Sequence, residues 1–174
     1  MLRGKRMKLL LCSFTLLHFS LSSPICDIGD VLYATTTTVC LKVLHESVTW
    51  DEAVKGCRSF SFDCVTEVDE VGEVTGELVS IHNAFQNEQI MSLVPETKLY
   101  WIGLHSLHSD FYGDTKFYWT DGSKVDYTYQ QLKPSYSDNN GVYISWKVWD
   151  IDNSTVPHDG YVCQYDMEPL LECN

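Results

Sequence analysis

Trp101-Ile102-Gly103-Leu104 lies near the middle of the 174-residue chain, inside a short apolar run that reads as a strand. Upstream, Thr49-Trp50-Asp51-Glu52 is a capping box: the threonine hydroxyl accepts from the Glu52 amide and the glutamate reaches back. The helix it opens puts Trp50, Ala53, Cys57 and Phe60 on one face. A second helix is predicted from Asn83, with Gln86 again at capping-box spacing. Ala84, Asn87, Ile90 and Val94 line its inner side, and Pro95 stops it.

Strands then dominate. Tyr100–Leu104 is the first and Phe117–Trp119 the second, closed by an Asp121-Gly122 turn. Val142–Trp149 reads as a strand pair or a bent strand, and Tyr161–Tyr165 is the last. Before the first helix, Val31–His45 suggests a hairpin. Thr66–Gly76, acidic and glycine-containing, reads as a surface loop between the two helices. Helices followed by several strands make an α+β order.

The chain's start speaks to its compartment. Arg3, Lys5, Arg6 and Lys8 precede the apolar run Leu9–Leu21, and small residues follow at Ser22 and Ser23. This is the layout of a secretory signal peptide over residues 1–22. The apolar run has 13 residues, short of the roughly 20 that a spanning helix needs. The expectation is a secreted, extracellular protein without membrane insertion. Cleavage removes four of the twelve basic residues and none of the 24 acidic ones, which leaves a mature net charge of −16. Such a surface repels phosphate backbones, so nucleic acid is not an expected partner.

About 150 residues remain, enough for one domain with a sizeable core. Six cysteines stay after cleavage: Cys26, Cys40, Cys57, Cys64, Cys163 and Cys173. An even count in a secreted domain implies disulfides, and spacing alone leaves their pairing open.

Taken together, these pieces resemble the C-type lectin-like domain. The likeness runs over residues 26–165, with 166–174 as a short tail. Its marks are Thr49-Trp50 and Cys57 in the first helix, Leu78-Val79-Ser80-Ile81, Trp101-Ile102-Gly103-Leu104, Trp119-Thr120-Asp121-Gly122, and Cys163 in the last strand. The resemblance implies two helices packed on small antiparallel sheets with a long loop region, here Ser123–Gly141. It implies a Cys57–Cys163 bond and a Cys26–Cys40 bond, which would leave Cys64 to Cys173. It also marks a departure: Val142 stands where the family has a loop cysteine, and no cysteine lies between Trp149 and Cys163.

A second departure concerns calcium. Sugar-binding members carry a glutamate–proline–asparagine or glutamine–proline–aspartate triplet in the long loop; Tyr136-Ser137-Asp138 stands there instead, followed by Asn139-Asn140. The family's tryptophan–asparagine–aspartate triplet becomes Trp149-Asp150-Ile151-Asp152. Calcium wants six to eight converging oxygens. Asp138, Asp150 and Asp152 are the remaining candidate metal ligands, and no cofactor is expected in the family's usual manner. Tyr136, Asp138, Asn139, Asn140, Trp149, Asp150 and Asp152 form the candidate ligand face. Asn153-Ser154-Thr155 is an N-glycosylation sequon beside it.

No Gly-x-Ser-x-Gly or His-Glu-x-x-His occurs, and His105 with His108 lacks a third metal ligand. An enzyme is not expected. Two readings remain: a secreted lectin that binds glycans with its calcium motif largely lost, and a calcium-independent module that binds an extracellular protein. The divergent pattern also resembles the expanded lectin-like families of invertebrates such as nematodes, a resemblance that implies a role in innate immunity.

Overall fold

The computed structural model describes residues 39–65, 71–107, 116–132, 139–146 and 148–166. The expected signal peptide, Cys26, Cys173, Tyr136 and Asp138 lie outside the described residues. The elements run β1 (Val39–Leu44), α1 (Trp50–Arg58), β2 (Ser61–Val65), β3 (Val71–Thr75), β4 (Glu77–Leu78) and α2 (Ala84–Leu93). After them come β5 (Tyr100–Leu107), β6 (Lys116–Trp119), β7 (Asn139–Ser145), β8 (Val148–Asn153) and β9 (Gly160–Asp166).

α1 begins as its sequence dictates. The Thr49 hydroxyl accepts from the Glu52 amide at 3.4 Å, and the Glu52 carboxylate accepts from the Thr49 amide at 2.9 Å. Asp51 and Glu52 in the first turn and Lys55 and Arg58 in the last complement the helix dipole. α2 is capped by Asn83, whose side chain accepts from the Gln86 amide at 2.9 Å. The return bond is shifted by one residue: Gln86 Oε1 accepts from the His82 amide, not from the cap itself. Val94 is extended, as the residue before a proline prefers. Asn87, Ile90 and Val94 are buried as expected, whereas Ala84 is exposed in the first turn.

Seven strands form one sheet in the order β1-β9-β5-β7-β8, with β4 also on β9 and β6 also on β5. β5 and β9 run parallel through Tyr100–Gly160 and Trp101–Tyr161; the other pairs are antiparallel. β2 and β3 make a separate hairpin. This corrects the reading of Thr66–Gly76 as a loop for Val71–Thr75; residues 66–70 lie outside the described residues. The β-branched residues Val71, Val74 and Thr75 outweigh Gly72 and Glu73 once a partner strand is present. The long loop is also shorter than expected, because Asn139, Asn140 and Gly141 are strand residues paired with β5.

Strand alternation divides the interior in two. Ile102 and Leu104 enter one core with Val142, Ile144, Trp149, Trp119 and the α2 residues Ile90 and Val94. Trp101 enters the other with Ala53, Cys57, Leu78, Tyr161, Cys163 and Tyr165, under α1. Two indole N–H groups bond across the fold: Trp101 donates to Val48 O at 2.9 Å and Trp50 to Ile102 O at 3.0 Å. Gly103 is required by crowding. A Cβ there would lie 2.7 Å from Leu78 O and 2.8 Å from Thr120 Oγ1. Val142, in the place of the family's loop cysteine, is wholly buried opposite Ile151.

Cys57 and Cys163 are bonded, with Cα atoms 5.4 Å apart at a sequence separation of 106. Cys40 is also disulfide-bonded, and its expected partner Cys26 lies outside the described residues. A cross-link closing a loop of this length removes unfolded-state entropy worth up to about 4.7 kcal/mol. Replacing both Cys57 and Cys163 by alanine is expected to lower the unfolding free energy by about 4 kcal/mol in a guanidinium melt. A loss below about 1 kcal/mol would show that the tie carries little of the fold's stability.

Candidate functional site

Among the described residues, β8 is an edge strand, paired with β7 alone. Successive side chains on a strand point to opposite faces, so Trp149 must part from Asp150 and Asp152. Trp149 is wholly buried, donates from Nε1 to Asn87 Oδ1 at 2.8 Å, and meets Trp119 and Tyr127 edge-on. The expectation that Trp149 contacts a ligand is therefore corrected: it is a core residue that ties β8 to α2. Asn140 is corrected likewise. It is buried, and its amide nitrogen donates to Ser106 Oγ at 3.3 Å. Asn139 is a strand residue beside it.

Asp150 and Asp152 lie on the other face. Asp150 is exposed and stands opposite Tyr143, whose hydroxyl donates to Asp150 Oδ2 at 3.4 Å. Asp152 is half-buried, stands opposite Gly141, and has Oδ2 3.6 Å from His158 Nε2. A Cβ at Gly141 would run into the Trp50 indole, so the start of α1 covers the Gly141 end of this face and leaves Asp150 exposed. His158 is buried, with its ring 3.9 Å from that of Trp101 and 4.6 Å from that of Tyr143. Its backbone bridges to Val48 in both directions. Tyr143 was legible as the outward residue between Val142 and Ile144. His158 left no signal in the sequence, because its contact depends on residues 153–158 folding back.

The sequon sits in that fold-back. Asn153 Oδ1 accepts from the Thr155 amide at 2.9 Å and from its hydroxyl at 2.8 Å, and the Val156 amide closes the turn onto Asn153 O at 2.9 Å. Asn153 thus ends β8 at the margin of the Asp150–Asp152 face.

The described residues do not fit a calcium ion. Asp150 Oδ1 accepts from the Ile151 amide, Asp152 Oδ1 accepts from the Asn153 amide, and Asp152 Oδ2 faces the His158 imidazole. Asn140 points inward to Ser106. Among the described residues, no three acidic, histidine or cysteine side chains converge. The six to eight oxygens that calcium requires are not assembled there.

A second polar cluster escaped the sequence reading. His82 Nδ1 lies 2.8 Å from Asp126 Oδ1, while its Nε2 lies 3.1 Å from Ser80 Oγ and 3.2 Å from Ser123 Oγ. The contacts are those of a serine–histidine–aspartate set, but the protons are committed elsewhere. Both hydroxyls donate to Asp121 at 2.6 Å, so neither offers its hydrogen to the imidazole. Gln164 also donates to Asp121, at 2.9 Å. Burial works to raise the Asp121 carboxyl, yet the bonds from Ser123, Ser80 and Gln164 outweigh it and hold its pKa below the usual range. The cluster ties the Trp119–Gly122 turn to β9 and to the segment after β4.

Residues 46–165 match the model of the lectin C-type domain. The chain belongs to the C-type lectin domain family. It is 26% identical over 158 residues to lymphocyte antigen 75 of Homo sapiens, which takes in 86% of this chain and 8% of that protein. Among solved structures, a calcium-independent type II antifreeze protein superposes with a TM-score of 0.58 at 26% identity, covering 82% of this chain and 95% of that one. CEL-IV superposes with a TM-score of 0.60 at 24% identity, covering 78% and 92%. The family places the chain among domains built for binding. Among the described residues, no helix is long and apolar enough to cross a membrane.

Burial pushes the His158 imidazole below its usual pKa, and the Asp152 and Asp159 carboxylates pull the other way without reversing it. Burial also lowers His105, which packs against Trp50. The unfolded chain therefore binds protons more readily than the folded one near the ordinary histidine value of about 6.5. Stability should be full above that value and fall as pH drops below it. Thermal melts between about pH 8 and pH 5 are expected to show this decline, and His158→Gln should flatten part of it. A melting temperature that rises on acidification would contradict the assignment.

Proposed function

We propose that the chain is a secreted C-type lectin domain protein that binds glycans without calcium, through the outer face of β7 and β8. The observation that carries this reading is the pair of carboxylates, Asp150 and Asp152, projected from an edge strand on one face with the Tyr143 hydroxyl beside them. Sugar hydroxyls can donate to carboxylates, and a hydrogen bond to a charged group contributes about 1.5–3 kcal/mol. Tyr136 and Asp138, which lie outside the described residues, stay candidate ligand residues on the sequence alone. A glycan attached at Asn153 would border it and limit the size of ligand admitted. The likeness to a calcium-independent antifreeze protein supports a working state of the fold without the ion.

The test is a glycan array probed in chelator and again in calcium, with Asp150→Asn/Asp152→Asn as the control variant. Binding should persist in chelator and fall by about tenfold or more in the variant. Binding that appears only with calcium would overturn the proposal, as would a variant that binds like the parent. Silence on the array together with capture of an extracellular protein would favour the protein-binding reading.

A further inference from the structure

An edge strand presents a row of N–H and C=O groups with which another strand can pair. Which groups β8 turns outward follows from its hairpin. Ser145 pairs with Val148 across a two-residue connection, and the pair that closes such a hairpin is a hydrogen-bonded one. Bonded and non-bonded pairs then alternate along the strands. Tyr143–Asp150 and Gly141–Asp152 fall in bonded positions, and Ile144–Trp149, Val142–Ile151 and Asn140–Asn153 in non-bonded ones. Trp149, Ile151 and Asn153 therefore direct their main-chain groups away from β7.

Those outward groups are already engaged. Gln130 Nε2 donates to Trp149 O at 2.7 Å. The Ile151 amide donates to Asp150 Oδ1 at 2.9 Å, and the Asn153 amide to Asp152 Oδ1 at 2.7 Å. Asn153 O accepts from the Val156 amide at 2.9 Å. An incoming antiparallel strand uses both the N–H and the C=O of each outward residue. Trp149 and Ile151 each have one of the two taken, and Asn153 has both. Short polar side chains that bond nearby amides compete with ladders, and here they compete with a strand that the described sheet does not contain.

Without this cover the strand is suited to pairing. Val148, Trp149 and Ile151 favour sheets, and Val148 is exposed at the start of the strand. In a twofold pairing centred on Ile151, Asp150 would also face Asp152 of the second copy, and like charges opposite each other on a ladder are unfavourable. We propose that Asp150, Asp152 and Gln130 close the β8 edge against strand pairing with a second copy of this chain. The inference concerns main-chain groups and holds whether or not the same carboxylates meet a glycan.

The test is sedimentation velocity of the folded, disulfide-intact protein, made without N-glycosylation so that Asn153 carries no glycan. Asp150→Asn/Asp152→Asn keeps an acceptor oxygen at each position and removes the charges. Asp150→Ala/Asp152→Ala/Gln130→Ala removes the acceptors and the donor. Between about 5 µM and 200 µM, the parent and the asparagine variant should remain monomeric. The alanine variant should dimerise about tenfold or more tightly than the parent. Asp150→Ala/Gln130→Ala changes only exposed side chains and should shift the same way by a smaller factor. Exchange of the Ile151 amide in either alanine variant should slow as concentration rises, because the dimer pairs that N–H. A parent that already dimerises, or alanine variants that stay monomeric, would overturn the proposal. So would an asparagine variant that dimerises as tightly as the alanine one, since charge alone would then keep the copies apart. A dimer in which Ile151 exchange ignores concentration would overturn it too, because the copies would then meet elsewhere.

Discussion

The covalent tie between Cys57 and Cys163 is the constraint on which the rest of the architecture depends. It fixes the last turn of α1 to the centre of β9, and β9 is the hub of the sheet. That strand pairs with β1, with β4 and, in parallel, with β5. Parallel pairing of strands distant in sequence closes large loops at an entropic cost. A bond already closing a comparable loop offsets part of that cost. With helix and hub joined, Trp101 is enclosed beside the sulfurs, and its N–H reaches Val48 at the entrance to α1.

The two-residue period of the β-strand then distributes function. On β8 it sends Trp149 into the core and leaves Asp150 and Asp152 outside. On β7 it buries Val142 and Ile144 and presents Tyr143. Residues adjacent in sequence are thereby separated by the thickness of the sheet. A ligand set that needs neighbours on β8 to converge would need a different local geometry, and the carboxylates here are instead engaged by amides of their own strand. The fold retains its frame while its polar edge is left available for other contacts.

Much of this was legible in the sequence because local chemistry and tertiary context agree there. The Thr49–Glu52 box, the Asn83 cap, the stop at Pro95 and the apolar run at Trp101 each specify one conformation. The rest depended on contacts distant in sequence. Val71–Thr75 became a strand only because β2 pairs with it. Asn140 looked like a loop amide until Ser106 came to lie beside it. Trp149 could stack or pack, and Asn87 on α2 decided for packing. His158 and the His82 cluster are assembled from segments dozens of residues apart, which no spacing rule within one stretch reveals.

The central claim is that a disulfide and two packed cores hold the domain and its binding face without an ion. Scanning calorimetry of the disulfide-intact protein in millimolar calcium and then in excess chelator tests it most directly. The account predicts the same melting temperature in both, within about 1 °C, since a ligand that does not bind the native state does not stabilise it. A rise of several degrees in calcium, abolished by chelator, would contradict it.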